Sequence, residues 1–201
     1  MPSGSAVDRR DALKRLVLYG LGAAAVPSWV ERLSALAVDH AGHARAAGGR
    51  SSTAWTPAAL DSHQNETVVL LSESIIPETD TPGAKAAKVN EFIDAVVADA
   101  APSERETFLS GLIWLDTRSR DLFGAEFIGC QPEQQGALLT ILASPVNTSA
   151  ADQPGVEFFQ AIKAMTITGY YTSEVGMKTE LGEDGSLFFT EYAGCTHSEH
   201  K

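Results

Sequence analysis

The sequence contains no G-x-G-x-x-G, no G-x-x-x-x-G-K-[ST] loop and no H-E-x-x-H, the short patterns through which a chain holds a dinucleotide, a nucleotide phosphate or a catalytic zinc. No stretch sustains the period-two alternation of apolar and polar residues that a half-buried strand needs, which removes the sheet classes. Basic residues are scarce. Fifteen Lys and Arg against 26 Asp and Glu leave a net charge of −11, which repels phosphate backbones and anionic lipid and so argues against nucleic acid as a partner. No Glu-x-x-His pair occurs, so a helical di-iron site lacks its usual ligands. Cysteine is limited to Cys130 and Cys195.

The chain itself has 201 residues, 44% hydrophobic and 20% charged, enough for one ordinary globular domain with a real core plus a leader. The leader is residues 1–37. Asp8-Arg9-Arg10-Asp11-Ala12-Leu13-Lys14 is a twin-arginine pattern, in which Arg9, Arg10, Leu13 and Lys14 are the export residues. An apolar region from Leu16 to Val26 follows, diluted by glycine and alanine and far short of the ~20 residues of a membrane span. Ala35-Leu36-Ala37 is a small-residue cleavage motif, placing the mature N terminus at Val38 and its net charge at −13, because the leader carries five basic and three acidic residues. Such a signal is an address read by the twin-arginine translocase, and that route moves proteins already folded. The expected location is the periplasm.

Residues 38–55 show no apolar periodicity and read as a flexible tether. His40 and His43 lie there without a companion carboxylate, which is a poor metal site. Residues 56–201 form the domain. Thr56-Pro57 predicts a helix over 57–76, carrying Leu60, Val68, Leu71 and Ile75. A second is predicted from Asn90 to Ala100, ended by Pro102, and a third opened by a Ser103–Glu106 capping box and stopped at Gly124. A fourth starts at Pro132 and closes at Ser144-Pro145; a fifth runs from Val156 to Thr168. The expected fold is all-α, a single-domain bundle of about five helices. After Gly169 the residues Tyr170, Tyr171, Gly176, Leu187, Phe188, Phe189 and Tyr192 predict an aromatic, irregular C-terminal tail that packs across the bundle or covers a partner.

Between the first two helices lies the chain's most distinctive stretch, Ile75-Ile76-Pro77-Glu78-Thr79-Asp80-Thr81-Pro82-Gly83-Ala84. Pro77 stops the helix before it, and Thr81-Pro82-Gly83 is turn chemistry, with Gly83 suited to a positive φ. This run, with Val89, Glu91, Phe92 and Ile93 behind it, resembles the gluconate 2-dehydrogenase subunit 3 family. So do Thr168-Gly169-Tyr170-Tyr171-Thr172-Ser173 with Gly176, and Tyr192-Ala193-Gly194-Cys195. The resemblance implies a small helical accessory subunit, without catalytic residues or a bound cofactor of its own. Its large partner would be a membrane-associated or periplasmic flavoprotein (GMC-type) dehydrogenase holding FAD and oxidising a sugar or sugar acid, with a cytochrome c as a further partner; a membrane-associated complex would hold this chain at the inner membrane. Ile76, Pro77, Thr79, Asp80, Thr81, Pro82, Gly83, Phe92, Gly169, Tyr170, Tyr171, Ser173, Gly176, Tyr192 and Gly194 then become candidate interface residues.

Other chemistry is thinly supported. Cys195-Thr196-His197 lies six residues from the end of the sequence, with little around it to fix a nucleophile or a metal. Glu73 with Glu78 and Glu183 with Asp184 read as solvated acids rather than acid–base couples. Cys130 and Cys195 would close a loop worth about 4 kcal/mol as a disulfide in an oxidising compartment, or either could pair with a partner. The alternative reading is a stand-alone periplasmic ligand-binding protein.

Overall fold

The computed structural model describes residues 27–46, 55–144, 146–147 and 149–180. Among them every regular element is helical: α1 (Ser28–Ala46), α2 (Ser62–Ile75), α3 (Val89–Asp99), α4 (Pro102–Phe123), a 3₁₀ turn (Phe127–Gly129), α5 (Pro132–Ala143), α6 (Gln153–Thr172) and a π turn (Gly176–Glu180). The protein is all-α, as its lack of period-two alternation requires. The twin-arginine residues, Tyr192, Gly194, Cys195 and the aromatic run Leu187–Phe189 lie outside the described residues.

The helices divide between two compact units. The first takes the described residues up to Leu36 together with Ala100–Ala161. Its core contains Phe108, Leu115, Phe127, Leu138 and Phe158, each at most 1% exposed. Phe108 and Phe158 meet with ring centroids 5.3 Å apart and planes at 54°, a tilted packing that aromatic quadrupoles favour. Gly111 makes room for that contact, since a Cβ there would stand 2.4 Å from the Phe158 ring. Two buried polar side chains fasten the turn after α4. The Asp116 carboxylate accepts from the Phe127 amide at 3.0 Å; the Gln135 amide donates to the Phe127 and Cys130 carbonyls at 2.9 and 3.1 Å. Gly124 stops α4 with φ 81, a left-handed value that suits glycine.

The second unit takes Ala37–Asp99 and the described residues from Ile162 on. Along α3, Val89, Ile93, Val96 and Val97 are all fully buried, and each such side chain contributes roughly 1.5–3 kcal/mol of transfer free energy. On α2, Val68 and Leu71 are likewise fully buried, and on α6 Ile162 and Met165. The Thr166 hydroxyl reaches the Ser72 hydroxyl at 3.4 Å, both at most 1% exposed.

Several helix ends differ from the sequence expectation. α2 begins at Ser62, not Pro57, because Asp61 is the cap: its carboxylate accepts from the Gln64 amide at 2.8 Å while the Gln64 side chain accepts from the Asp61 amide at 3.0 Å. Residues 58–60 are instead held by Asp94, as described below. α4 begins at Pro102, one residue ahead of the expected Ser103–Glu106 box. Glu104 Oε2 accepts from the Ala101 amide at 3.0 Å, and Pro102 sits at the first turn where its missing N–H does no harm. Residues 38–46 are helical rather than a tether. Alanine is the strongest helix former but weak as a hydrophobic signal, and Ala37 and Ala41, four apart, are buried at 0% and 5%. Finally, α6 extends from Gln153 to Thr172, so Tyr170 and Tyr171 are helical and not the start of an irregular tail.

Candidate functional site

The residues of the distinctive loop and of the Gly169–Gly176 segment meet in the second unit. The loop is built on Glu73, in the last turn of α2. One of its carboxylate oxygens accepts from the Glu78 amide and the other from the Lys85 amide, both at 2.8 Å. A single side chain thus holds the start and the end of the loop. Its neck is closed by the Ala84 amide donating to the Ile76 carbonyl at 2.9 Å, and its base by the Val89 amide donating to the Ala84 carbonyl at 3.1 Å. Pro77 ends α2 as the sequence dictates.

Gly83 serves this cradle by size, not by dihedral. Its φ is not in the left-handed region, contrary to the expectation from Thr81-Pro82-Gly83. A Cβ on it would fall 2.4 Å from a Glu73 carboxylate oxygen and 2.5 Å from the Glu78 nitrogen. The positive φ belongs to Lys88, at 55°, where the chain turns into α3. At the far end of the loop, the Thr79 amide donates to the Thr81 carbonyl at 3.0 Å and the Thr79 hydroxyl to Asp80 at 2.9 Å.

Tyr170 joins the second motif to the first. Its ring is 1% exposed and its hydroxyl donates to the Pro82 carbonyl at 2.7 Å. Tyr171 packs edge-on against it, with centroids 5.2 Å apart at 89°. Around the end of α6, the Ser173 hydroxyl donates to the Tyr170 carbonyl at 2.6 Å and accepts from the Gly176 amide at 3.0 Å. A Cβ on Gly176 would lie 2.1 Å from the Tyr170 carbonyl oxygen, and one on Gly169 2.6 Å from the Phe92 ring. Both glycines are therefore contact positions.

A further carboxylate supports the same unit. Asp94 on α3 is 2% exposed. Its oxygens accept from the amides of Ala58, Ala59 and Leu60 at 2.8, 3.0 and 2.9 Å, which fixes the entry to α2. Sequence reasoning passed over Glu73 as a solvated acid and did not single out Asp94. The available signals were an acid just ahead of a helix-stopping Ile-Ile-Pro, and an acid inside the apolar run Phe92–Val97.

The loop therefore has a hydrogen-bonded back and an open front. Pro77, Glu78, Thr79 and Asp80 are exposed, while Gly83 and Ala84 are buried. The arrangement presents a fixed polar edge and brings no nucleophile and base together. Among the described residues no group of three His, Cys, Asp or Glu could hold a metal. A model of the gluconate 2-dehydrogenase subunit 3 family matches residues 62–183. The chain belongs to that family. No curated protein and no solved structure matches it. As a gluconate 2-dehydrogenase subunit 3 protein it is an accessory subunit of a dehydrogenase, and a catalytic partner is implied.

The remaining candidate residues lie elsewhere. Ala35 and Ala37 fall inside α1. His40 pairs with Asp99 at 2.9 Å. Cys130 is buried, with its thiol 3.5 Å from the Ala125 carbonyl. Burial, and secondarily the negative charge of Asp116, push this thiol's pKa up, since both disfavour the thiolate. With the folded value above the unfolded one, the thiol leaves stability unchanged well below the ordinary thiol range. As pH climbs through that range the unfolded chain loses its proton first, and stability falls. Iodoacetamide at about pH 8 is expected to label Cys130 at least about tenfold more slowly in the native protein than in urea. Peptide mapping reads this directly, and equal rates would refute the buried, protonated thiol.

Proposed function

We propose that this chain is the non-catalytic small subunit of a flavin-dependent, GMC-type dehydrogenase of a sugar or sugar acid, and that it supports the export, folding and stability of the catalytic subunit in the periplasm. The observation that carries the reading is the loop at Ile76–Ala84. It is held from behind by Glu73 and Tyr170 and offers Pro77–Asp80 to a partner. A preorganised surface loses little conformational freedom on binding, which favours affinity. The twin-arginine pattern supplies the second part. A chain with a folded-export address and no cofactor fingerprint serves naturally as the carrier for a partner that has a cofactor.

The FAD belongs to the partner in this reading. A flavin's pyrophosphate is held by a nest of unengaged backbone amides, whereas the amides of Glu78, Thr79, Ala84 and Lys85 are already bonded within the loop. Electrons from the partner's flavin would pass onward to a cytochrome c or a quinone, with this chain as scaffold.

Two experiments test the proposal. Native capture of the protein from periplasmic extract is expected to bring down a yellow complex with a much larger chain, read by flavin absorbance and intact mass. A colourless monomer would favour the stand-alone binding protein. Replacing Arg9→Lys and Arg10→Lys together is expected to strand this chain and its flavoprotein partner in the cytoplasm. If the partner still reaches the periplasm at the wild-type level, the carrier role is wrong.

A further inference from the structure

We propose that α1 remains with the exported protein, so that any processing of the leader falls upstream of Pro27 and not at Ala35-Leu36-Ala37. The inference rests on the twin-arginine reading for its export context and on the fold for its content.

A cut after Ala37 would remove structure from the first unit. Val30 and Leu33, one turn apart, are 3% and 1% exposed. The Trp29 indole donates to Glu157 at 3.3 Å, and the Arg32 guanidinium pairs with Glu104. Glu104 is itself only 8% exposed and caps α4 by accepting from the Ala101 amide. Losing Arg32 would leave a buried carboxylate without its cation, a costly arrangement. In the second unit, Ala37 is fully buried.

The position is also a poor substrate. A peptidase must bind the residues around the scissile bond in extended form, but Ala35, Leu36 and Ala37 lie mid-helix in α1. Their amides are engaged in the helical ladder and the Ala37 methyl is turned inward. Because the twin-arginine route carries folded proteins, α1 would already be formed when the chain reached the peptidase. The helix has a natural boundary upstream instead. The Pro27 carbonyl accepts from the Val30 and Glu31 amides at 2.9 and 3.2 Å, and Pro27 follows a small-residue run, Ala23-Ala24-Ala25-Val26.

The test is intact mass and N-terminal peptide mapping of the full-length chain recovered from the periplasm. The expected result is an N terminus at or before Pro27 and an uncut peptide spanning Ala37 and Val38; a mature N terminus at Val38 overturns the proposal. Ala35→Leu, at an exposed position, would block a cut after Ala37 and is expected to leave the mature mass unchanged apart from the substitution. Accumulation of a longer form would overturn it. Leu33→Ala in the full chain decides the point independently of export. If α1 is integral, the melting temperature falls by about 5 °C or more; an unchanged value overturns the proposal even where the chain stays in the cytoplasm. A cytoplasmic chain with the lowered melting temperature would instead sink the export reading and leave α1 as part of the fold.

Discussion

Replacing Asp94 by alanine is expected to destabilise the protein by about 3 kcal/mol or more, the largest loss from any single carboxylate in the second unit. Three backbone amides converge on this one side chain, and Leu60 is buried, so water cannot readily replace the lost acceptor there. Ala58 is exposed, and its amide can turn to solvent, which keeps the total below three full desolvation penalties of roughly 1–3 kcal/mol each. Against this stands the cost of burying a carboxylate, which three charge-assisted bonds more than offset. Asp94→Asn separates the effects. It keeps a carbonyl oxygen that can accept from Ala59 and Leu60 but lacks the charge and the second acceptor, and should lose about half as much. Urea unfolding of the two variants gives the ordering directly. A midpoint for Asp94→Ala within error of wild type would mean that residues 58–60 are held by something else. Hydrogen exchange should fasten first at those three residues and at the opening turn of α2, since Asp61 caps from the end of the same segment.

Asp94 also shows where sequence reading stopped. Thr56-Pro57 and Asp61 are both acceptable helix starts by local chemistry. The choice fell to Asp61 because a residue more than thirty positions away captures the amides between them. The two readings of the α4 start lie closer together: Ser103–Glu106 and Ala101–Glu104 have the same spacing, and Glu104 wins because Pro102 occupies the first turn. Local punctuation was legible wherever one residue decides the outcome, as at Pro77, Pro132 and Gly124. The helicity of residues 38–46 was hidden because buried alanines give little hydropathy contrast. Gly169 misled for another reason. Glycine reads as a breaker in isolation, yet here α6 runs through it and the missing side chain admits the Phe92 ring. The candidate site divides the same way. The loop residues could be read from the sequence, whereas the role of Tyr170 depends on a contact 88 positions apart and that of Glu73 on the loop folding back so that amides five and twelve residues on reach one carboxylate.

The second large effect is expected at Gly83. Gly83→Val should abolish capture of the proposed flavoprotein partner and cost about 2–4 kcal/mol of stability, in the range of strongly overpacked sites. The β-carbon alone would meet a Glu73 oxygen at 2.4 Å and the Glu78 nitrogen at 2.5 Å. The first contact is with the end of a flexible side chain and could be relieved by moving Glu73. The second is with backbone, so the loop itself must move. Either movement breaks the two 2.8 Å bonds through which Glu73 holds the loop, and Pro77–Asp80 lose their fixed placement. Glu73→Gln tests the same cradle without adding bulk. It substitutes an N–H₂ for one acceptor, facing a donor with a donor, and should weaken capture in the same direction by a smaller amount. Gly136→Ala is the matched control, since nothing lies within 4 Å of its would-be β-carbon. In the middle of α5, alanine there should raise stability by roughly 0.5–1 kcal/mol and leave the flavin content of the captured complex unchanged. If Gly83→Val melts below wild type yet binds its full complement of flavoprotein, the loop is a structural device of the subunit and the partner docks elsewhere. If it loses the partner together with Glu73→Gln, in proportion to the damage each does to the cradle, the edge at Pro77–Asp80 is part of the interface.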